Sequence, residues 1–378
     1  MSVPRRVMVI GAGPAGAMAA YGLARRGHEV VLLDKVRFPR DKVCGCCINR
    51  RALTLLDSQG LMPAIRRLHG KPLERLVLSA GTKCISLRLP LGLSVSRRRL
   101  DQSLVDAAID AGATFIDGVT ARVASHDDEC ALVDIGGNLV EAGLAIVADG
   151  LGGRALENLT AFSVKKMQAS RMGAALILQS HEAPPLAAGA IRMMCSPVGY
   201  VGMVRLEDDR VNLAAAFDAE KVRALGGPGA AACAVLESNG ADPSPTMRTS
   251  RWRGTPTLTR RRRLAGTRLL VVGDAAGYVE PFTGEGMAWA MCCGHAAVDI
   301  AHRAIADWQP GFIDEWNKTH ARVVRKHQRV CRLIAGLLRR PAWTRAAIGT
   351  LGVAPRLADR MLHRMTRPVR TRSAVAGG

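Results

Sequence analysis

The stretch VMVIGAGPAGAMAAYGLARRGHEVVLLD, Val7 to Asp34, decides the architecture. Val7 to Ile10 is a run of four apolar residues, the composition of a short strand buried on both faces, and a glycine-rich turn follows at once. Ala15 to Arg25 reads as a helix that ends at Arg25, Arg26 and Gly27, and Glu29 to Asp34 as a second apolar strand. Together they make one βαβ unit. The run from Val7 to Ala24 holds eighteen uncharged residues and so imitates a signal peptide or a membrane span. Gly11, Gly13, Pro14 and Gly16 break it, which suits a strand, a tight turn and a new helix.

The turn GAGPAG is a G-x-G-x-x-G placed between a strand and a helix. Gly11 permits the tight turn, Gly13 lets the backbone approach a pyrophosphate, and Gly16 lets helix and strand pack closely. Pro14 and Ala15 open the helix, whose free amides and dipole favour phosphate charge. Asp34 closes the second strand 18 residues after Gly16, where a carboxylate accepts hydrogen bonds from ribose hydroxyls and disfavours a 2′-phosphate. A second signal is LLVVGDAAGYVEPFTGEGMAWA, Leu269 to Ala290. A strand ends at Gly273-Asp274, and a loop with Pro281, Gly284 and Gly286 leads into a long helix. An acid at that strand end suits a ribityl hydroxyl, and the amides of Gly286 and Met287 suit negative charge on a reduced flavin ring.

At these residues the chain resembles the flavoprotein superfamily of aromatic hydroxylases, flavin halogenases and geranylgeranyl reductases, with the geranylgeranyl reductase branch most similar. GAGPAG with Asp34, the Asp149-Gly150 pair in VADGLGGR, and GDAAG…PFTGEGM match its ordered FAD signatures. RRRLD adds Arg97, four residues before Asp101, which the resemblance implies touches the cofactor. The loop FPRDKVCGCCINRRAL, Phe38 to Leu53, is similar to the segment that runs beside the flavin, with Lys42 and Cys44 near the pyrophosphate or ring edge. The implied FAD contacts are thus Gly11, Gly13, Pro14, Ala15, Gly16, Asp34, Lys35, Lys42, Cys44, Arg97, Asp149, Gly273, Asp274, Pro281, Gly284, Gly286 and Met287.

The resemblance implies an α/β fold: a Rossmann-type FAD-binding domain with a mostly parallel sheet, an antiparallel-sheet substrate domain, and a helical C-terminal tail. Segments 1–70, 96–155 and 265–310 are expected to build the first, 71–95 and 156–264 the second, and 311–378 the third. Strand-like runs at Thr114–Ile116, Ala145–Val147, Ala174–Leu178, Val211–Phe217 and Leu269–Val272, with helices at Arg98–Ala111 and Gly286–Ile305, fit that division. A second G-x-G-x-x-G after a strand is missing, so a separate nicotinamide domain is not expected; the resemblance implies NAD(P)H as a transient electron donor.

For the chemistry, three candidates stand out. Cys46 and Cys47 face the reaction cavity by the resemblance, as redox thiols or as small apolar packing; C-x-C-C lacks the second pair that zinc spacing needs, and no metal is expected. Tyr200, one of three tyrosines, is a candidate to orient a substrate or transfer a proton. The halogenase signature W-x-W-x-I-P has no counterpart, since Trp252 stands alone. The stretch SPVGYVGMVR, Ser196 to Arg205, keeps only Gly199-Tyr200 of the prenyl reductases' aromatic motif. The expected activity is an FAD-dependent reductase or dehydrogenase acting on an apolar, isoprenoid- or polyketide-like molecule. The alternatives are an NAD(P)H- and O2-dependent hydroxylase and, from another class, a basic membrane- or nucleic-acid-binding protein with a relict nucleotide fold.

Net charge is +21, and from Ile313 onward 15 Lys and Arg face three acids, so 12 of those charges sit in the tail. With 4% aromatic residues and no nucleic-acid module, nucleic acid is not an expected partner. Ile313, Trp316, His320, Val323, Val324, His327, Val330, Cys331, Ile334, Leu337 and Leu338 recur at helical spacing with Arg322, Arg325, Lys326, Arg329 and Arg332 between them, up to Pro341. A further amphipathic helix is expected after Pro355. Such helices either pack over the pocket or rest on an anionic membrane. Ten scattered cysteines in a long chain read as reduced thiols in a cytoplasmic protein, with peripheral membrane contact left open. The oligomeric state is not legible.

Overall fold

The computed structural model describes residues 5–353 except 168, 169, 281 and 283, and only the backbone of 341, 352 and 353. Its centre is a six-stranded sheet in the order Ala265–Gly266, Leu269–Val271, Leu144–Val147, Val7–Ile10, Val30–Asp34, Thr114–Asp117. Every pairing is parallel except that of Ala265–Gly266. Val7–Ile10 is buried at all four residues because both of its faces are covered, which is why no polar alternation is visible there. Parallel pairing also brings the carboxyl ends of four strands to one edge. Gly11, Asp34, Ala148 and Val272 therefore lie side by side, and the chain reverses its strand order at Val7–Ile10, where α/β sheets bind ligands.

The Pro14–Ala24 helix and the Gly286–Ala306 helix press on this sheet with almost no side chain between them. A Cβ on Gly294 would lie 2.0 Å from the Ala15 carbonyl oxygen, and one on Gly22 would lie 2.6 Å from Val298. Cys293 belongs to the same seam: the Gly273 amide donates to its Sγ at 3.3 Å.

A seven-stranded sheet forms the second layer, in the order Arg253–Thr257, Met172–Leu178, Val211–Phe217, Gly199–Arg205, Ala190–Ser196, Arg75–Ala80, Lys83–Arg88. It is mixed rather than purely antiparallel. Arg75–Ala80 pairs parallel to Ala190–Ser196, a pairing that needs a long crossover, and here the chain traverses half of the first layer in between. An antiparallel meander, Ala121–His126, Ala131–Ile135 and Asn138–Ala142, lies beside the parallel sheet. Its second turn is Gly136-Gly137 with φ of +61° and +98°, the positive values that a two-residue hairpin turn demands.

The basic tail folds back on both layers. Gly311–His320 and Lys326–Leu337 are one continuous helix joined by a π-helical stretch, Ala321–Arg325. The wider π turn advances the buried stripe, so Trp316, His320, Val324, Gln328, Cys331 and Ala335 stay on one side. Trp316 Nε1 donates to the Val271 carbonyl at 3.2 Å, tying this helix to the parallel sheet. Val330, expected on the apolar face, is exposed. Pro341 ends that helix but starts another, Pro341–Val353, whose Ile348 packs with Leu338 against Leu76 and Leu78 of the second sheet. The helix expected after Pro355 lies outside the described residues.

The seam between the two helices predicts that Gly294→Ala destabilises the fold by about 1–3 kcal/mol, since a backbone carbonyl occupies the space a methyl needs. Urea unfolding of the variant against the parent, read from the midpoint at unchanged slope, measures it.

Candidate functional site

One cavity of about 830 Å3 opens along the carboxyl edge of the parallel sheet and runs to the face of the seven-stranded sheet. Its first half is the glycine turn. A Cβ on Gly11 would strike the Ala148 carbonyl at 2.4 Å, and one on Gly16 would strike the Gly11 carbonyl at 1.8 Å. Gly13 is different. Nothing but the Arg40 and Arg97 guanidinium nitrogens comes within 4 Å of such an atom, both at 3.8 Å, so the glycine keeps a space in front of the helix open. The helix has Pro14 in its first turn, no side-chain cap and no acid, leaving its first amides free for an anion.

Asp34 closes this end. Its Oδ2 accepts from the Ala12 amide at 2.9 Å and its Oδ1 from the Val36 amide at 3.0 Å. Arg40 spans Asp34 (3.4 Å) and Asp101 (2.9 Å), and Asp101 takes two bonds of 2.7 Å from Arg97. Arg97 and Arg40 thus converge on the Gly13 space, and Lys42 Nζ lies 4.0 Å from the position of a Cβ on Gly150 in the same cavity. Lys42 is exposed at the cavity, where desolvation by the surrounding walls lowers its ammonium's pKa and the neighbouring Arg40 and Arg97 lower it further. Arg40 was not among the sequence candidates, although FPRDK after the second strand is basic.

The opposite wall carries Asp274. It is half-buried, and its pKa rises to about 6 because desolvation outweighs the attraction of Arg97 and Lys42. Gly273, with φ +61°, lets Ala15 approach; its Cβ would lie 2.6 Å from that of Ala15. Gly284, Gly286 and Met287 line the cavity at the start of the Gly286–Ala306 helix, whose first amides are also uncapped. Two helix N-termini therefore face one cavity. Lys35 stands exposed at its rim. Asp149 lines it too, but its Oδ2 accepts from the Ala155 amide at 2.8 Å and its Oδ1 has no partner. Pro281 lies outside the described residues.

The cysteine loop lies between the halves. Hydrogen bonding from Cys46 and the charge of Arg97 pull the Cys44 thiol below its usual pKa. Cys46, a non-glycine residue at φ +57°, and Cys47 are both pushed up, Cys46 first by its bond to Cys44 and Cys47 by burial. They line the cavity and pack with Leu73, Val204 and Leu206, and of the three thiols Cys44 is the one whose pKa is lowered. All ten cysteines are free. Tyr200 lies on the cavity wall with its ring edge-on to Phe282 at 5.1 Å and the Arg171 guanidinium at 5.5 Å. Burial and then Glu280 raise its pKa, so the phenol keeps its proton. Glu280 itself pairs with Arg171 at 2.8 Å in the interior.

Glu285, between Gly284 and the helix start, was missed because nothing in its sequence context marks burial. Its pKa rises to about 7 through burial, against the pull of Arg51 and a 3.0 Å bond from Trp289 Nε1.

This is the arrangement of a protein that holds a dinucleotide across a parallel sheet and leads one end to a second, apolar chamber. Residues 5–300 match the family described as FAD binding domain, and the chain belongs to it. It is 29% identical over 327 residues to the menaquinone reductase of Mycolicibacterium smegmatis, covering 79% of this chain and 77% of that one. It is 28% identical over 334 residues to digeranylgeranylglycerophospholipid reductase 1 of Methanopyrus kandleri, covering 82% and 86%. Two solved structures share the fold: a flavin-dependent brominase, Bmp2 (TM-score 0.78, 15% identity, 95% of this chain and 92% of that one), and PqsL, a probable FAD-dependent monooxygenase from Pseudomonas aeruginosa (TM-score 0.72, 17% identity, 93% and 100%). The chain is an FAD-dependent oxidoreductase.

The residues present fit FAD. The space before Gly13 admits a pyrophosphate that the Arg40 and Arg97 charges await, with Lys42 in the same cavity, and the orphaned Asp149 Oδ1 awaits a donor. Gly13→Val fills that space and is expected to weaken FAD binding at least about a hundredfold while the fold persists, an effect of roughly 3 kcal/mol. Flavin fluorescence titration of refilled protein reads it. A second expectation concerns pH. Because Glu285 has a folded pKa above its usual 4.5, its contribution to stability is complete below about 4.5 and is lost as pH rises through about 7. Glu285→Gln should therefore gain on the parent as pH rises over that window, reaching roughly 1–3 kcal/mol at pH 8; thermal unfolding of both proteins from pH 5 to 8 shows whether the gap opens.

Proposed function

We propose that this enzyme reduces a lipophilic substrate with an isoprenoid tail, a quinone or a polyprenyl lipid, with NAD(P)H as a transient donor. The observation that carries this reading is the continuity of the cavity. Its far half is walled by Leu73, Leu76, Leu89, Ile191, Met193, Val204 and Leu258, an apolar chamber with room for a chain but few polar groups to hold a small polar acid. The names of the two relatives, a menaquinone reductase and a digeranylgeranylglycerophospholipid reductase, point to the same substrate class.

Bound FAD supplies a two-electron carrier. Gly11, Gly13, Asp34, Arg97, Asp149 and Asp274 would hold it, and the first amides of the Gly286–Ala306 helix would offset negative charge beside it. The protein's own part is to orient and to protonate. Tyr200 and Tyr278 both line the chamber, and burial keeps both phenols protonated, so either can present an O–H to a substrate oxygen or carbon. The apolar walls exclude water that would compete for that proton.

An apolar substrate is delivered from a membrane. No described helix is long and apolar enough to cross one. The tail instead exposes Leu333 (76%) and Trp343 (61%) and, on the same stretch of chain, Arg322, Arg325 and Arg329, the composition of a surface-bound amphipathic element. We read the protein as cytoplasmic and peripheral to an anionic membrane.

The test is product mass. FAD-loaded enzyme with NAD(P)H and menaquinone or a geranylgeranyl lipid should yield a product two hydrogens heavier, under anaerobic conditions as well as in air. Tyr200→Phe should lower kcat about tenfold to a hundredfold with KM little changed. A product heavier by one oxygen atom, formed only in air, would replace this reading with the hydroxylase one.

A further inference from the structure

A second, smaller cavity of about 120 Å3 lies behind the first. Its lining includes Arg260, Arg261, Arg262, Arg325, Arg332 and His320, and no carboxylate. The strand Arg260–Arg261 forms one wall, the segment just after Asp274 forms another, and the long C-terminal helix closes it across the π turn.

Arg261 and Arg325 reach solvent, but the inner donors of the cluster lack partners. Arg260 is committed to the carbonyls of Leu151 at 2.6 Å and Thr257 at 2.7 Å. Arg261, Arg262, Arg325 and Arg332 have no carboxylate within 4 Å among the described residues. Arg262 Nε and Nη1 are buried without a hydrogen-bond partner, and so are both ring nitrogens of His320, a residue only 3% exposed. Asp149 attracts Arg262 from beyond ion-pair range. Burial and Arg325 hold His320 down to about 4, and burial with Arg261, Arg329 and Arg325 lowers Arg332. Each buried donor left unpaired costs about 1–3 kcal/mol, and like charges gathered without a counter-ion add to that. A ligand that accepts from Arg262 and His320 inside, and that is held by Arg261, Arg325 and Arg332 at the mouth, would repair both deficits. Planar guanidinium groups around a small space match a tetrahedral oxyanion, which offers several acceptors and negative charge at once.

We propose that this cavity binds a phosphate-class oxyanion, at a site separate from the cofactor's pyrophosphate. The site adjoins the chemistry. Tyr278 lines both cavities, Gly277–Tyr278 pairs with Arg260–Arg261, and Gln328 Nε2 donates to the Gly277 carbonyl at 3.4 Å. An anion held there joins the C-terminal helix to the segment that follows Asp274. Its source is either free phosphate or the phosphate of a lipid headgroup presented by the surface on which the tail rests.

The experiment uses FAD-loaded protein, so that the pyrophosphate space is filled. Calorimetric titration with inorganic phosphate at low ionic strength should show saturable binding at one site. Arg325→Gln/Arg332→Gln should weaken it about tenfold or more, and Arg261→Gln, on a different element, should weaken it in the same direction. Arg66→Gln/Arg67→Gln removes the same charge from a distant exposed turn and should leave it unchanged. Phosphatidylcholine vesicles with and without phosphatidylglycerol separate the sources. Binding only to the anionic vesicles, lost in the cavity variants and competed by phosphate, assigns the headgroup; phosphate binding without vesicle binding assigns the free ion. No saturable phosphate binding, or equal weakening by the distant pair, overturns the proposal.

Discussion

The fold depends on how closely three pieces of backbone surround Ala15. Gly16 lies against the Gly11 carbonyl, Gly273 against the Ala15 side chain, and Gly294 against the Ala15 carbonyl, each at a separation that no Cβ could share. This crowding fixes the first turn of the Pro14–Ala24 helix relative to two strand ends and a second helix. Its one open direction faces the cavity. Free amides, strand-end acids and the arginines of the next loops are aimed at one place because the packing leaves them no other.

Charge then sorts the two cavities. Around Gly13 the cations are partly balanced, since Asp34 and Asp101 hold Arg40 and Arg97 in place, and the remaining excess at Lys42 suits a pyrophosphate. Behind the segment after Asp274 the cations have no such balance. The second half of the large cavity has almost no charge, and its wall is the inner face of a sheet of small and branched residues. In the proposed reading, electrostatics would hold one end of the cofactor and hydrophobic burial the substrate at the other.

Much of this was legible in the sequence. Val7–Ile10, GAGPAG and Asp34 are near neighbours in the chain, so their geometry is local and the residue types dictate it. GDAAG could be placed for the same reason. What could not be read was the assembly of distant residues. Arg40 bridging Asp34 to Asp101, and Glu285 buried beneath Arg51, arise from tertiary packing that no local spacing encodes. The parallel pairing of Arg75–Ala80 with Ala190–Ser196 is likewise invisible to period and propensity. The resemblance sets Cys46 and Cys47 at the reaction cavity, as redox thiols or as small apolar packing. Both line the cavity, but their thiols are pushed up, Cys46 first by its bond to Cys44 and Cys47 by burial, and it is Cys44 that gains a cation beside it. The π turn at Ala321–Arg325 shifted the buried stripe, which is why Val330 was assigned to the wrong face.

The central claim is that one continuous cavity carries the cofactor from the Gly13 cradle to the apolar chamber. A crystal structure of the FAD-loaded protein tests it most directly. The account predicts the pyrophosphate between Gly13, Arg40 and Arg97, and the flavin ring beside Gly284–Met287 with one face open toward Met193 and Tyr200. A ring bound elsewhere, or a chamber walled off from it, would contradict the account.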